Sequence, residues 1–342
     1  MASMPSLNCL VAGGAGYIGS HVVSELQACG ARVTVLDDFS TGHRWAVDDV
    51  DVAEVTLADT ARVEAVLAAG RFDALLHFAA NIWVGESVND PGKYYRNNTG
   101  NAAALFDLAA RHGVRHVVFS STAAVYGEPE VVPIEESTPL SPINPYGASK
   151  MMTERVLADI AAAHGLRTAV LRYFNVAGAH DEGSIGEATP NNSHLVKVAC
   201  EAALGLRPPL RINGDDYPTP DGTCVRDYIH VQDLARAHVA ALRRLLDDPT
   251  PLVLNCGYGH GFSVREVLDC FAAVTGVDLD PAIGPRRPGD PAELVSDNRA
   301  ILGALDWRPE RDDLERIVAS AWRWEQRLQA MAAAPRGEMA AC

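Results

Sequence analysis

Residues 9–21 read CLVAGGAGYIGSH. The apolar run CLVA enters a string in which Gly13, Gly16 and Gly19 recur every third residue, and a helical pattern from His21 to Cys29 leaves it. Glycine suits three tasks in that setting. One turns the chain tightly, one lets backbone N–H groups come close to a pyrophosphate, and one lets helix and strand pack together. A simple tight turn can use the same glycines, so the weight rests on their place between strand and helix. That place predicts a dinucleotide-binding loop.

Outward from this loop the chain alternates short apolar runs with helical patterns: RVTVLD, TARVEAVLAAG, ALLHFAA, GNAAALFDLAARHG, HVVFSS. The apolar runs do not alternate with polar residues, which fits strands covered on both faces. The predicted fold is α/β, a Rossmann-type doubly wound parallel sheet with a smaller α/β substrate-binding lobe. Gly30, Gly70, Gly113 and Gly165 read as glycine stops at helix C-termini. After Asn175 the rhythm gives way to loops rich in Gly, Pro and Asn, such as VAGAHDEGSIGEATPNNSH and INGDDYPTPDGTCVRDYIH. The expected division is a cofactor domain over 1–175 with segments returning at about 226–260, a substrate lobe over 176–225 and 261–325, and a flexible tail over 326–342.

With 342 residues, 48% of them hydrophobic, the chain can bury a large core. A net charge of -15 argues against a general nucleic-acid surface. It leaves room for a small anion held by two or three local cations. The seven cysteines are scattered without a C-x-x-C pair, so no structural metal is expected. No run approaches the roughly 18 apolar residues of a membrane span, and the first residues lack a signal-peptide pattern. The expectation is a reduced, soluble, cytoplasmic protein.

The second apolar run ends in Asp37, about where a carboxylate would accept the hydroxyls of an adenosine ribose. An acid there repels a 2′-phosphate, so NAD is expected rather than NADP; Arg32 and Arg44 are the residues that could reverse this. Further on, NPYGASK places Tyr146 four residues before Lys150. On an ordinary helix such a pair shares one face and only snorkels into solvent. Beside a nicotinamide it reads differently. A tyrosine with an ordinary pKa near 10 needs a neighbouring cation to act as a base near neutral pH, and Lys150 sits one turn away. The run FSST supplies Ser120, Ser121 and Thr122, one of which could bond the same substrate oxygen. The set describes hydride transfer between an alcohol and a ketone.

The strings GGAGYIGSH, LDDFSTGHR, HFAA, VGES, YYRNN, FSSTAAVYG, NPYGASK, LRYFNVAGA, GTCVRDYIHVQDLA and PRRPGD occur in this order. With them the chain resembles the extended short-chain dehydrogenase/reductase family, and within it the UDP-sugar 4-epimerases, from about Leu7 to Trp324. The resemblance implies an NAD-dependent isomerase that interconverts UDP-glucose and UDP-galactose through a 4-keto sugar. Tyr146 would take the proton of the 4-hydroxyl, helped by Thr122 and Lys150, and NAD would stay bound between turnovers. It also implies that Gly13, Gly16, Tyr17, Ile18, Gly19, Asp37, Asp38, Phe39, Ser40, Thr41, Gly42, Phe78, Ala79, Ala80, Asn97, Phe174 and the Tyr146/Lys150 pair hold NAD. Thr122, Tyr146, Asn175, His194, Leu195, Arg226, Arg287, Asp290 and Glu293 would surround the nucleotide sugar. The arginines suit a diphosphate; the plain alternative for Arg226 is an ion pair with neighbouring Asp227.

Three departures from the family pattern stand out. Thr56 and Leu57 replace an acid-hydrophobe pair near the adenine, Ile82 replaces a lysine near the cofactor, and Glu293 occupies the corner that gauges the sugar's 2-substituent. Helices after Tyr95 and Tyr146 carry more apolar residues than one buried face requires, which the resemblance reads as a homodimer surface. Three rival readings follow. A nucleotide-sugar dehydratase would need an acid after Thr122, where Ala123 and Ala124 stand. A non-catalytic NAD-binding protein would be free to lose the Tyr/Lys pair, and this chain keeps it. A 4-epimerase of another UDP sugar, an N-acetylhexosamine, a pentose or a uronic acid, shares every feature above.

Overall fold

The computed structural model of the chain describes residue 4 and residues 7–287 and 289–333. The first half runs β1 (Asn8–Ala12), α1 (Tyr17–Ala28), β2 (Arg32–Asp37), β3 (Asp51–Glu54), α2 (Thr60–Gly70), β4 (Ala74–His77), α3 (Val84–Asn89), α4 (Pro91–Tyr94), α5 (Ala102–Arg111), β5 (His116–Thr122), α6 (Pro145–His164) and β6 (Arg167–Tyr173). The second half holds β7 (Asn175–Ala177), α7 (Leu195–Ala203), β8 (Arg211–Asn213), β9 (Val225–Arg226), β10 (Tyr228–His230), α8 (Val231–Asp247), β11 (Leu252–Cys256), β12 (Phe262–Ser263), α9 (Val264–Thr275), β13 (Ala282–Gly284), β14 (Glu293–Leu294), α10 (Arg299–Ala304) and α11 (Leu314–Ala333).

Seven strands form one parallel sheet in the order β11-β6-β5-β4-β1-β2-β3. Successive side chains of a strand face opposite ways, and here both ways lead into apolar cores. Cys9 and Val11 of β1 join Ala74 and Leu76 of β4 in a core closed by α1 and α8. Leu10 and Ala12 join Leu75, Val117 and Phe119 in a second core closed by α2, α5 and α6. A fully buried valine or leucine contributes about 1.5–3 kcal/mol, so apolar strand centres are what a sheet covered on both sides requires.

The strand order reverses between β1 and β4, and parallel sheets bind ligands in the crevice outside such a switch point. The second half of the chain supplies the opposite wall. Its small pairings are β7 with β10, β8 with β13, and β9 with β12 and β14. Between them α8 returns to cover the first core and β11 extends the main sheet beside β6.

Two sequence expectations change. Gly30, Gly113 and Gly165 adopt left-handed backbone, but at the end of α2 that conformation falls on Arg71 (φ 50°). Gly70 is instead the last helical residue, where a Cβ would lie 2.1 Å from the ring of Phe72. The expected tail is helical in its first part, because α11 runs on to Ala333; residues 334–342 lie outside the described residues.

Candidate active site

A cleft of about 830 Å³ opens at the switch point. At one end lies the glycine loop. Gly13 (φ 79°) passes so close to the chain after β4 that a Cβ would lie 2.4 Å from the amide nitrogen of Ala79. A Cβ on Gly19 would lie 2.1 Å from the Gly13 carbonyl. Helix α1 begins here with no side chain capping it and no acid in its first turn. Its free N–H groups and dipole therefore remain available to an anion. Gly13, Gly16, Tyr17, Ile18, Gly19 and Thr41 line this end, with Phe78 and Ala80 facing them.

Asp37 reaches the loop: its carboxylate accepts hydrogen bonds from the amides of Ala15 and Phe39, both at 2.9 Å. Burial pushes this carboxyl above its ordinary value, and the amides oppose the shift. Each oxygen keeps acceptor capacity for a ribose hydroxyl. Asp38 accepts from the Ser40 amide, Phe39 takes left-handed backbone (φ 56°), and Gly42 lies against Ala15. Arg32 begins β2 and Asp37 ends it, roughly 16 Å apart at the usual rise per residue. Arg44 pairs with Glu54 at 3.6 Å. Neither arginine meets Asp37, which fits NAD. Leu57 is buried in the second core, and Thr56 is exposed.

Asn97 does not line the cleft; its amide donates to the side chain of Asn98 at 3.1 Å. Asn98 is the buried one, and it accepts from the amide of Asn81 and donates to its carbonyl. Residues Tyr95–Asn101 form a π-helical turn rather than an α-helix. The wider turn rotates Asn98 inward in place of its neighbour.

The chemical centre is made by β5 and α6. Asn144 caps α6 by accepting from the Gly147 amide, and Pro145 fits its first turn. Gly147 lets the helix approach so closely that a Cβ would lie 2.5 Å from the Ala124 carbonyl. That approach brings the Tyr146 hydroxyl to the Thr122 side chain, and both line the cleft. Ser120 instead donates to the Tyr173 hydroxyl at 3.0 Å, and Ser121 is bonded to Glu154. Of the three hydroxyl residues, Thr122 alone serves Tyr146.

Burial raises the Tyr146 phenol above its ordinary value, and the Thr122 hydrogen bond counters it. Lys150 lies behind Tyr146, 3% exposed, with Nζ donating to the Ser120 carbonyl at 2.9 Å. Burial pulls its pKa down to about 7, against the pull of Glu154. Lys150 is not among the residues that line the cleft.

At the other end Asn175, His194, Leu195, Arg226, Arg287 and Asp290 line the cleft. Arg207 and Arg211, which sequence reasoning missed, join Arg226 and Arg287 there. Four guanidinium groups in a strongly acidic chain make a site for a polyanion. Arg226 is buried and pairs with Asp290. Asp227 is turned away, accepting from the Ser296 hydroxyl at 2.6 Å and the Tyr258 amide at 2.9 Å. Its ion pair with Arg226 does not form.

Glu293 is exposed and lies outside the cleft; Leu294 lines it. The two alternate across β14, so the side chain that lines the cleft here is Leu294 rather than Glu293. Ile82 lines the cleft, and Tyr173, Glu187 and Leu294 are further lining residues the sequence did not disclose.

The pattern of the NAD dependent epimerase/dehydratase family matches residues 9–257. The chain belongs to this family. Within the NAD dependent epimerase/dehydratase family it is 52% identical to the UDP-glucose 4-epimerase of Azospirillum brasilense over 332 residues, 96% of this chain and 95% of the relative. The structure of the Brucella ovis UDP-glucose 4-epimerase in complex with NAD superimposes with a TM-score of 0.90 at 44% identity, covering 93% of this chain and 98% of that one. The UDP-glucose-4-epimerase from Stenotrophomonas maltophila, with bound NAD and formylated UDP-arabinopyranose, reaches 0.91 at 39% identity, covering 95% and 99%. The Rossmann-type fold and the NAD requirement are those of the family.

Proposed function

We propose that the chain is a UDP-sugar 4-epimerase that interconverts UDP-glucose and UDP-galactose. The observation that carries this reading is the arrangement of one cleft: Tyr146 and Thr122 toward the glycine loop, four arginines at the far end, and alanines between. When bound, NAD supplies the hydride acceptor that gives a 4-keto sugar and the donor that reduces it again.

The chain's own residues do the rest. Tyr146 exchanges the proton of the 4-hydroxyl, Thr122 holds the hydroxyl in line, and the buried Lys150 favours the phenolate. Arg226 and Arg287 retain the diphosphate throughout. Epimerisation requires the keto sugar to present its other face, and the wall beside Tyr146 offers Ala123, Ala124, Ile82 and Val84, which make no directional bonds to either orientation. An anchored diphosphate with an unbonded sugar is what such a turn needs.

Elimination of water would need a free carboxyl beside Thr122. The carboxylates lining the cleft are Glu86, Glu187 and Asp290, and each is paired, with Lys93, His194 and Arg226 respectively. Incubating the protein with a panel of UDP sugars, read by chromatography, tests the proposal. Interconversion of UDP-glucose and UDP-galactose supports it; a 4-keto-6-deoxy product overturns it.

The site residues, the division into a cofactor domain and a substrate lobe, and a homodimer belong to the same reading. Met152 on α6 and Val88 on the adjoining α3 are exposed and support a dimer surface there. Sedimentation showing only monomer would refute it. Cys9, Cys200, Cys224 and Cys256 are buried thiols, which supports the reading of a reducing, cytoplasmic setting.

A further inference from the structure

Glu187 lies in the cleft wall with its side chain only 9% exposed. Its backbone is clamped from two sides: Trp324 of α11 donates its indole N–H to the Glu187 carbonyl at 2.9 Å, and the His43 ring bonds the Ala188 carbonyl at 3.1 Å. Trp324 also packs flat on Gly186, where a Cβ would lie 2.5 Å from the ring. The carboxylate is therefore held in a fixed place.

A buried carboxylate needs a cation or several donors. Around Glu187 the other charged and titratable groups are spoken for. Tyr17 donates to the Gly178 carbonyl, Lys197 pairs with Glu325 and Glu201, and Arg207 pairs with Glu201. Oε1 has no hydrogen-bond partner among the described residues. Oε2 meets Nδ1 of His194 at 3.2 Å, the only ion pair Glu187 makes among them.

His194 stands at the N-cap of α7 with its side chain 41% exposed, lining the cleft end that holds Arg207, Arg226 and Arg287. With Nδ1 turned to Glu187, the other ring nitrogen is left for a ligand. We propose that Glu187 is a positioning residue that holds His194 as an imidazolium, so that the ring donates a charged hydrogen bond to the substrate's diphosphate. The inference rests on the reading of this cleft as a UDP-sugar site and adds to it a pH-dependent grip. Burial of the ring pulls its pKa down, and the Glu187 carboxylate more than reverses this, leaving it raised. The imidazolium is thereby favoured, and its charge is lost as pH rises through the raised pKa.

The test is calorimetric binding of UDP-glucose to the NAD-loaded protein from about pH 6 to about pH 8.5, a range in which imidazole titrates and the diphosphate diester does not. Wild-type affinity falls with rising pH by on the order of tenfold, the size of one hydrogen bond to a charged group. Glu187→Gln moves that fall to lower pH. His194→Asn, which can still cap the helix, binds more weakly and without the pH dependence. In both variants the loss falls more on KM than on kcat, and retained NAD shows that the cleft is formed. A flat wild-type profile, or one that Glu187→Gln leaves in place, overturns the inference. UDP-glucose bound with this profile but not epimerised would sink the proposed function alone. Epimerisation with pH-independent binding would sink this inference alone, and no binding at any pH would sink both.

Discussion

Lys150, one helical turn beyond Tyr146, donates from Nζ to the main-chain carbonyl of Ser120 at 2.9 Å. The ammonium also lies 5.0 Å from the centre of the Phe119 ring. It is held where water does not reach, and burial lowers its pKa from 10.5 to about 7. A lowered lysine pKa destabilises the fold while the group must stay charged. Between about pH 7 and pH 10 the unfolded chain binds the proton that the folded chain has released, so stability rises with pH across that window. Lys150→Met removes this dependence. Thermal melts should show the variant gaining on wild type by up to a few kcal/mol at pH 7, with the gap closing toward pH 10. A constant gap would mean that Lys150 is not titrating in the folded protein.

Tyr146→Phe removes the one hydroxyl that both lines the cleft and bonds Thr122, and leaves the glycine loop untouched. The expected result is a fall in kcat of about 10²–10⁴, the usual contribution of a general acid–base group, with NAD still bound after gel filtration. Loss of NAD together with activity would place Tyr146 in cofactor retention instead.

The sequence disclosed most where one physical reason governs a whole run. Strand centres buried on both faces must be apolar, and the middle of β1, β2, β4, β5 and β6 is largely so, with the polar residues gathered mostly at the strand ends. The glycine loop is equally plain, because three glycines at fixed spacing each answer a steric demand. Less legible were the side chains whose direction depends on a local register. Asn97 and Asn98 are indistinguishable until the π-helical turn decides which faces inward. Glu293 and Leu294 form a strand of two residues, too short to display its own alternation. Among Ser120, Ser121 and Thr122, the choice fell to neighbours distant in sequence, Tyr173 and Glu154.

Arg226 combines burial with four acceptors: Asp290 and the carbonyls of Val225, Pro291 and Ala292. These contacts fix its guanidinium at the edge of the cleft in advance of any ligand. Arg226→Lys keeps the charge and loses the fork, so KM for the UDP sugar should rise by roughly one to two orders of magnitude with a smaller change in kcat. Steady-state kinetics on UDP-galactose checks this. An unchanged KM would remove Arg226 from the diphosphate site.

Leu294 packs against the small core of Ala123, Val125, Tyr126 and Phe174, beside the Thr122 end of the cleft. Its strand partner in β9 is Arg226, so the leucine lies between that arginine and the Thr122 end of the cleft. On the proposed reading, a pyranose held by its diphosphate at Arg226 and reacting at Tyr146 carries its C2 substituent past this side chain. Leu294→Ala should therefore raise kcat/KM for UDP-N-acetylglucosamine relative to UDP-glucose by roughly ten- to a hundredfold, the range a few methylene groups of pocket space can supply. Leu294→Tyr should move the ratio the other way. Glu293→Gln, altering a side chain that faces solvent, should leave the ratio within about twofold, as surface changes away from a site do. If Glu293→Gln moves the ratio and Leu294→Ala does not, the sugar corner belongs to the glutamate after all.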